Sequence, residues 1–402
     1  MTVSASPQLC LPAGFSFSAV TAGIKASGRP DLAMVSCSSG TTATALFTRN
    51  RVVAAPVIVG RKSLAESRGR VRAVIVNSGN ANCATGKLGI QLCHGICREA
   101  ARLLNVKSAE ILPSSTGVIG VPLPAEKIKA RLPELKAASA ATEPALRQFA
   151  EAIMTTDTRA KLASQRVGFA RGECVIAGVA KGAGMIHPQL ATMLVYLFTD
   201  LAATPTELKS LLRTACDQTF NCISIDGDTS TNDTVLLLAS GKSGVQFTQP
   251  GIRARFSAAL REICESLAEQ IVSDGEGVQH VIRLFVEQAK NRDEALRIAR
   301  AIAHSLLVKT AWAGADPNWG RILSAAGSSG VPIVPERVEI SIGSQTVFRG
   351  AARHFDPVKA HHELSQPRCG IRVKLGRGRS SLLFHTTDLT AEYVRINAEY
   401  ST

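Results

Sequence analysis

Residues 181–194 concentrate the residue types that could do chemistry, in the order KGAGMIHPQLATML. The segment lies between two runs of strand character, residues 175–179 and 193–198. A Gly-x-Gly turn after a strand is typical of a phosphate-binding loop, but neither the GxGxxG nor the GxxxxGKS pattern is completed and no helical pattern follows. The sequence therefore argues against nucleotide binding, and the glycines need another explanation.

Two clusters of histidine and cysteine are candidate metal ligands. His361 and His362 lie beside Glu363, and Cys93 and Cys97 flank a histidine with C-x3-C spacing. Adjacent histidines diverge on a helix or a strand, no H-x3-H spacing occurs, and zinc ribbons use C-x2-C. The spacing therefore favours a protein without a bound metal.

The elements that must position the 181–194 segment alternate between strands and helices. Residues 71–77 are predicted to form a buried strand that ends in a polar turn at 77–82, with a helix over 88–104 after it. Two further amphipathic helices are predicted, over residues 124–131 and 143–154. The second runs directly into the sequence TTDT, so we expect its hydroxyl groups in a loop.

The second half begins with a well-marked helix. Thr204, Pro205 and Glu207 supply an N-cap, a proline at the first position and a capping-box carboxylate, which predicts a helix to about Thr219. Strands are then expected at 222–225 and 234–238, and the acidic loop between them is typical of a solvated turn.

The remaining elements complete an α/β pattern without repeats or a linker. Two long helices are predicted over residues 252–272 and 293–308, with a strand over 280–286 between them. Beyond residue 331, short alternating segments at 338–342, 371–375 and 382–385 predict a sheet.

Composition and charge exclude several classes of protein. The 402 residues are 45% hydrophobic and 19% charged, which excludes a disordered chain, and no apolar run is long enough to span a bilayer. Residues 1–191 hold 23 Lys and Arg against 10 Asp and Glu, whereas residues 192–402 hold 23 against 22. Aromatic residues are only 4% and the basic residues are scattered, so we expect a positive electrostatic field that attracts small anions rather than a nucleic-acid-binding surface.

With no secretory leader pattern and ten cysteines read as free thiols, a cytoplasmic protein is expected.

Nearly the whole chain resembles the ornithine acetyltransferases, the glutamate N-acetyltransferase family of arginine biosynthesis. Besides 181–194, the segments that carry the resemblance are GIK and DLA at 23–25 and 31–33, NSGNAN at 77–82, SSTGVIG at 114–120, TTDT at 155–158, DGDTSTND at 226–233, DGEG at 274–277, KTAWAGADPNWGRI at 309–322 and INAEYST at 396–402. The resemblance implies an α/β fold with a layered αββα main domain and a smaller C-terminal α/β domain.

The resemblance also implies that the precursor cuts itself between Ala191 and Thr192. An alpha chain of residues 1–191 and a beta chain of 192–402 would result, with about 192–275 completing the main domain and about 278–402 forming the second region. A threonine suits this chemistry because its hydroxyl can attack the preceding carbonyl and form an ester that water opens. The new α-amine, with a reference pKa of about 7.7–8.0, can then act as the base, so no histidine is needed. Without the motif, Thr192 reads as an ordinary strand threonine.

The resemblance assigns the remaining site residues. Thr116 and Gly117 would stabilise the oxyanion, although residues 113–120 alone are typical of a small-residue turn before a β-segment. The substrates would be N-acetylornithine and glutamate, and Thr192 would carry the acetyl group between them. The implied substrate contacts are Thr155, Lys181, Thr192, Glu276, Asn397 and Thr402. Lys181 would supply a cation for the substrate carboxylate, and Glu276 would meet the side-chain ammonium of ornithine.

Some features leave alternatives open. Thr156 and Thr158 lie close enough to exchange roles with Thr155, and His187 is interpreted as a turn residue rather than a contributor to cleavage. Gln189 stands where the family often has Asn, and residues 278–280 read Val-Gln-His where Ala-Thr-Lys is common. These departures leave the cleavage rate and the details of substrate binding open.

The resemblance implies partners but no resident cofactor. Two copies of each cleaved chain are expected to form a heterotetramer, without nucleic acid or membrane. Acetyl-coenzyme A stays open as a second acetyl donor. The alternatives are a Thr-nucleophile amidohydrolase or aminopeptidase, in which water replaces glutamate, and a basic RNA- or membrane-surface-binding protein with a vestigial motif.

Overall fold

The computed structural model of the chain describes residues 8–170, 172–187 and 193–399. Outside these ranges lie Ala191 and Thr192 of the predicted cleavage site, the terminal Thr402, and Gln189, at which the sequence departs from the family pattern. In chain order the strands are β1 Phe15–Val20, β2 Leu32–Cys37, β3 Thr42–Phe47, β4 Ala73–Asn80, β5 Ile111–Val118, β6 Lys161–Gly168, β7 Glu173–Lys181, β8 Leu194–Thr199, β9 Thr234–Ala239, β10 Val281–Ala289, β11 Glu339–Ile342, β12 Gln345–Arg349, β13 Arg368–Lys374 and β14 Ser380–Thr387. The α-helices are α1 Ala55–Glu66, α2 Gly86–Leu104, α3 Ala125–Ala137, α4 Glu143–Ala152, α5 Pro205–Gln218, α6 Ile252–Val272, α7 Arg292–Ala303, α8 Leu306–Ala313, α9 Trp319–Gly327, α10 Pro357–Leu364 and α11 Ala391–Glu399.

The strands form three sheets. One has the order β1-β2-β4-β5, a second β3-β9-β8-β7-β6 and a third β12-β11-β13-β10-β14. In the second sheet β7 and β8 are antiparallel neighbours, with Lys181 opposite Leu194, whereas β8 and β9 run parallel. The third sheet draws all its strands from residues 281–387.

The first two sheets pack face to face and are covered by helices on their outer faces. Phe17 of β1, Phe198 of β8 and Tyr196 of β8 lie between the sheets, and the rings of Phe17 and Phe198 are 5.2 Å apart in an edge-on contact. Buried residues of α2 and α3 pack on the outer face of the first sheet, and those of α5 and α6 on the outer face of the second. The predicted α/β fold with an αββα layered domain is confirmed.

Local sequence signals account for the start of several helices, whose N-cap side chains accept backbone hydrogen bonds. Thr204 accepts a hydrogen bond from the backbone N–H of Glu207 at 3.3 Å, and the Glu207 carboxylate accepts one from the Thr204 N–H at 2.8 Å. This capping box begins α5 as predicted. The predicted helix over 252–272 is confirmed as α6.

Two predicted elements are wrong. The single helix expected over residues 293–308 is two helices, because α7 ends at Ala303 and the Ser305 side chain accepts a bond from the Val308 N–H at 3.4 Å, which caps α8. Residues 222–225 do not form a strand. Only Ile223 makes an isolated bridge, to His385, so no ladder is established there.

No helix in the part of the chain that the structure describes is long and apolar enough to cross a membrane. All ten cysteines are free thiols, and nine of them are buried.

Candidate active site

One pocket contains every predicted site residue that lies within the described ranges. It opens where the ends of β5 and β7 meet the loop after α4, the turn before β10 and helix α11. The predicted residues in its wall are Thr116, Gly117, Thr155, Lys181, Glu276 and Asn397. These residues span 282 positions of sequence, so only tertiary folding brings them together.

Lys181 lies at the centre of the pocket, at the last position of β7. Its ammonium donates to the hydroxyl of Thr116 at 3.0 Å and to that of Thr155 at 2.9 Å. An ammonium group only donates, so both hydroxyl oxygens act as acceptors and their own hydrogens can point elsewhere. Among the described residues these two hydroxyls are its hydrogen-bond acceptors, and an ammonium group has a third N–H. Burial lowers the pKa of Lys181, and the carboxylate of Asp157 opposes that shift.

Thr116 and Gly117 belong to a strand. The small-residue turn that residues 113–120 alone would indicate is wrong, because β5 continues to Val118 alongside β4. Gly117 has φ +130°, and a Cβ there would lie 2.3 Å from the carbonyl carbon of Gly79 on β4. Only glycine fits, so the Thr-Gly pair is fixed by the contact between the two strands.

Asp157 connects the loop after α4 to the end of β7. Its carboxylate accepts from the Thr155 N–H at 3.0 Å and from the Gly182 N–H at 2.6 Å, so it holds the residues on either side of the Lys181 side chain. Lys161, whose side chain is fully buried, donates to Asp157 and to Asp274, at 2.6 Å each. Burial favours the neutral acid, but the charges of Lys181 and Lys161 outweigh it and lower the pKa of Asp157 to about 2.

The three hydroxyl groups of the TTDT loop have different surroundings. Thr155 accepts from Lys181, and Thr156 lines the same pocket. Thr158 donates its hydroxyl to Asp274, and its backbone N–H donates to the same carboxylate at 3.1 Å. Thr158 therefore supports the buried ion pairs, while Thr155 meets the ammonium.

Glu276 and Asn397 form the opposite wall. The Asn397 amide donates to the Glu276 carboxylate at 2.8 Å, and the Glu276 backbone N–H donates to the Ala183 carbonyl at 2.9 Å. Gly184 leaves space for this carboxylate, since a Cβ there would lie 2.5 Å from its oxygen and the Glu276 side chain would have to shift. Helix α11 reaches this wall because the Thr390 hydroxyl donates to the Gly277 carbonyl at 2.7 Å. The glycines of the 181–194 segment thus leave room for an acidic side chain.

The acidic loop at 226–233 is part of this site rather than a solvated turn. Asp226 accepts from the backbone N–H groups of Met185 and Ile186 at 2.6 and 2.9 Å, and Met185 has the left-handed φ of +54°. Burial raises the pKa of Asp226 to about 6, against the effect of its backbone hydrogen bonds. Asn232 donates to the carbonyls of Ala81 and Ser115 at 2.7 and 2.9 Å. The loop therefore ties together three of the predicted motifs.

Sequence reasoning missed Asp157, Lys161, Asp226 and Asn232 as members of this network. Asp157 and Asp226 stand inside motifs that were singled out, so a carboxylate among hydroxyl and glycine residues was an available signal. Lys161 has one partner four residues away, Asp157, but its burial also requires Asp274, which is 113 residues away and could not be paired with it from the sequence. The structure offers no candidate metal centre among the described residues, where no group of three or more His, Cys, Asp or Glu could hold an ion.

The fold and the pocket together define a class of protein. It has layered αββα architecture and a pocket whose buried ammonium, carboxylate and hydroxyl groups suit a small charged molecule. Comparison with known proteins gives the family. Residues 16–402 match the model of the ArgJ family. The chain belongs to the ArgJ family.

Several relatives cover almost the entire chain. It is 43% identical over 98% of its length to the arginine biosynthesis bifunctional protein ArgJ of Methylococcus capsulatus, with 97% of that protein covered. It is also 43% identical to the protein of the same name from Thermus thermophilus, with 98% of this chain and 99% of that protein covered.

Solved structures of similar sequence are known. An ArgJ protein from Bacillus halodurans is 40% identical over 50% of this chain and 96% of its own, with a TM-score of 0.48. An ornithine acetyltransferase from Mycobacterium tuberculosis, solved with ornithine, is 36% identical over 44% of this chain and 93% of its own, with a TM-score of 0.40.

Proposed function

We propose that this protein is a glutamate N-acetyltransferase of arginine biosynthesis. It moves an acetyl group from N2-acetyl-L-ornithine to L-glutamate through an acetyl-Thr192 intermediate, after cutting its own chain between Ala191 and Thr192. Family membership supports the activity. The observation that carries the mechanism is the pocket in which the Lys181 ammonium, the Glu276 carboxylate and the Thr116–Gly117 pair face one space.

Chain connectivity supports Thr192 as the nucleophile. Leu194 pairs with Lys181 across β8 and β7, and residue 192 is two positions before Leu194. Two residues of chain span at most about 7 Å, so chain length allows the proposed nucleophile to reach the Lys181 pocket.

Activation begins when the Thr192 hydroxyl attacks the Ala191 carbonyl. The peptide C–N bond breaks as the ester forms, and the nitrogen becomes the α-amine of Thr192. Water then opens the ester, which gives the Ala191 carboxylate and frees the hydroxyl. The neutral α-amine is positioned to accept the hydroxyl proton in the transfer reaction.

In the first half-reaction, Thr192 attacks the acetyl carbonyl of N-acetylornithine. The Thr116 hydroxyl and the Gly117 N–H donate to the developing oxyanion, which is where fixed donors lower a barrier most. Because Thr116 accepts from Lys181, its hydroxyl hydrogen is available for this role. The C–N bond breaks, ornithine leaves with the proton taken from Thr192, and acetyl-Thr192 remains.

In the second half-reaction, the amine of glutamate attacks the acetyl ester and restores the Thr192 hydroxyl. Both substrates carry an α-carboxylate, for which the third N–H of Lys181 is a donor. Glu276 distinguishes the two substrates, because its charge attracts the side-chain ammonium of ornithine and not the side-chain carboxylate of glutamate. Thr155, Asn397 and Thr402 complete the proposed contacts.

The proposal also covers a second acetyl donor, the subunit assembly and the location in the cell. The relatives are named bifunctional, which supports a second activity. We propose acetyl-coenzyme A as the second acetyl donor, without a resident cofactor. A cleft that shares Thr155 with the pocket is lined by Lys25, Arg29 and Arg159, cations that suit a phosphate-bearing donor.

We propose two alpha and two beta chains per molecule, in the cytoplasm, without a nucleic-acid or membrane partner.

The first test is intact mass and N-terminal sequencing of the purified protein beside Thr192→Ala. We expect fragments that begin at Met1 and Thr192 in the wild type and one uncut chain in the variant. An uncut, folded wild type would overturn the mechanism and favour the binding-protein alternative. Acetyl transfer is then assayed with and without glutamate, since acetyl release to water alone would indicate an amidohydrolase.

A further inference from the structure

Two histidines meet immediately before the segment that contains the proposed scissile bond. His187 is the last described residue before positions 188–192, and its ring packs on that of His304, which follows α7. The ring centroids are 4.6 Å apart, and Nδ1 of His187 is 3.2 Å from Nε2 of His304. Neither residue lines the Lys181 pocket.

The hydrogen-bond partners fix the protonation of this pair. The hydroxyl of Ser224 has one hydrogen, which it donates to the Ile186 carbonyl at 2.9 Å. Its oxygen is also 3.0 Å from Nε2 of His304, so Nε2 must be the donor in that contact. A protonated Nε2 then requires that Nδ1 of His187 be an acceptor. The Ser224 oxygen and Nδ1 of His187 share the single hydrogen on Nε2 of His304, and the His187 ring, without a hydrogen on Nδ1, is neutral.

The same groups restrain the backbone that leads to the scissile bond. The Ile186 carbonyl accepts from Ser224 and from the Ile225 N–H at 2.9 Å, and Asp226 holds the N–H groups of Met185 and Ile186. Among the described residues these bonds reach as far as residue 186. The ring of His304, the residue that follows α7, adds a contact at residue 187.

We propose that His304 is a positioning residue for self-cleavage, which acts by holding neutral His187, four residues before Ala191. The inference rests on the proposed function, because it needs a self-cleaving chain. Attack of a hydroxyl on the preceding carbonyl depends on a near-attack geometry that a free chain rarely adopts, and small misplacements are costly. A restraint four residues from Ala191 reduces the directions that the chain can take.

The charges around the pair favour its neutral state. Arg300 of α7 and Lys309 of α8 lie on the His304 side, and Asp228 of the acidic loop is the opposing charge near His187. Burial lowers the pKa of His187 to about 4, with Arg300 acting in the same direction. Burial and His187 lower the pKa of His304 to about 3. Protonation of His187 at Nδ1 would place its new N–H group against the Nε2–H group of His304.

The experiment follows maturation of the full-length precursor made by cell-free translation at neutral pH, with cut and uncut chains separated by gel and identified by mass. His304→Leu removes the donor, while His304→Gln returns an amide N–H near the position of Nε2. His354→Leu is the matched control, since His354 is exposed and lies 50 residues from His304 in the sequence. Thr192→Ala marks the uncut chain.

We expect His304→Leu to mature at least about tenfold more slowly than the wild type, and His304→Gln to stay within about threefold of it. His354→Leu should mature at the wild-type rate. Once cut, the His304→Leu protein should show wild-type kcat and KM for acetyl transfer, which a defect in the active site would not allow.

Wild-type maturation of His304→Leu would overturn the inference, and so would a loss of kcat in its cut form that equals the loss of maturation rate. If His304→Leu does not fold, the pair His187→Leu and His187→Asn decides, because Asn keeps an acceptor near Nδ1 and should mature faster. Failure of the proposed function looks different: the wild type itself would then stay uncut, as Thr192→Ala does.

Discussion

Lys181 and Thr116 are joined by a hydrogen bond of 3.0 Å in which the ammonium donates and the hydroxyl accepts. The bond connects the end of β7 in one sheet with the end of β5 in the other, so the facing sheets share one polar contact at the pocket. It also polarises the hydroxyl, which makes Thr116 a better donor toward a third group. A single contact thus couples the packing of the fold to the proposed oxyanion stabilisation.

That geometry predicts the effect of changing Thr116. Thr116→Val keeps the shape but removes the donor, and we expect kcat for acetyl transfer to fall by about 10²–10³, as for the loss of one oxyanion donor. Thr116→Ser keeps the hydroxyl and should retain activity within about tenfold. Steady-state assays of the cut enzymes with N-acetylornithine and glutamate measure both. Equal activity of the Val and Ser variants would show that the Thr116 hydroxyl does not stabilise the oxyanion.

Sequence reasoning predicted the fold class and the elements of strong local signal. The capping box at Thr204 and Glu207 fixed the start of α5, and the apolar pattern of α6 gave its bounds. Residues 222–225 looked like a strand because of their apolar types, yet only Ile223 found a bridge partner, His385, 162 positions away. Apolar types make a strand possible, but a distant partner decides whether it forms.

The candidate site divides in the same way. The resemblance named Thr116, Lys181 and Glu276, and the structure adds that one pocket holds them. Lys161 could not be identified as part of the network, because a lysine in an alternating strand is normally solvated. Its burial depends on two carboxylates, Asp157 and Asp274, that only the folded chain places beside it.

The buried Lys161 predicts a large effect on stability. Lys161→Met keeps the volume but removes the ammonium that both buried carboxylates contact, and we expect the free energy of unfolding to fall by about 3–5 kcal/mol. Urea unfolding in the uncut Thr192→Ala background measures this with a single chain. Lys161→Met combined with Asp157→Asn and Asp274→Asn should recover part of the loss, since the unpaired charges are then gone.

A matched control is Lys62→Met, since the ion pair of Lys62 with Glu66 is exposed on α1. That change should alter the free energy of unfolding by less than about 0.5 kcal/mol. Equal effects at Lys62 and Lys161 would show that the buried pairs do not stabilise the fold.

The neutral histidine pair predicts a pH dependence of stability. The pKa values of His187 and His304 are about 4 and about 3 in the folded chain, below the reference value of 6.5, so the unfolded chain takes up protons first as the pH falls. The stabilisation is complete above about pH 6.5 and is lost as the pH falls from there toward 4. Because both rings are partly exposed, we expect a combined loss of about 2 kcal/mol, less than the full shifts would give.

The measurement is urea unfolding between pH 7.5 and pH 5 of the uncut Thr192→Ala protein, with and without His187→Asn and His304→Gln. Removing both histidines should flatten the fall in stability with acid, because the other titrating groups are the same in the two proteins. Parallel curves for the two proteins would contradict the assignment of neutral rings.

Glu276 predicts how the enzyme separates its two substrates. Glu276→Gln removes the charge that meets the ornithine ammonium but keeps an oxygen that can accept from the Asn397 amide, bonded at 2.8 Å in the wild type. We expect KM for N-acetylornithine, or the inhibition constant of its product ornithine, to rise about tenfold or more, as for the loss of one charge-assisted contact. The glutamate half-reaction should keep its KM or improve, because a repulsion between two carboxylates is also removed. Single-turnover assays that load acetyl-Thr192 and then add glutamate separate the steps.

Glu392→Gln is the control, because Glu392 is an exposed carboxylate on α11, the helix that carries Asn397. Equal changes in both half-reactions would mean that Glu276 maintains the pocket without selecting ornithine.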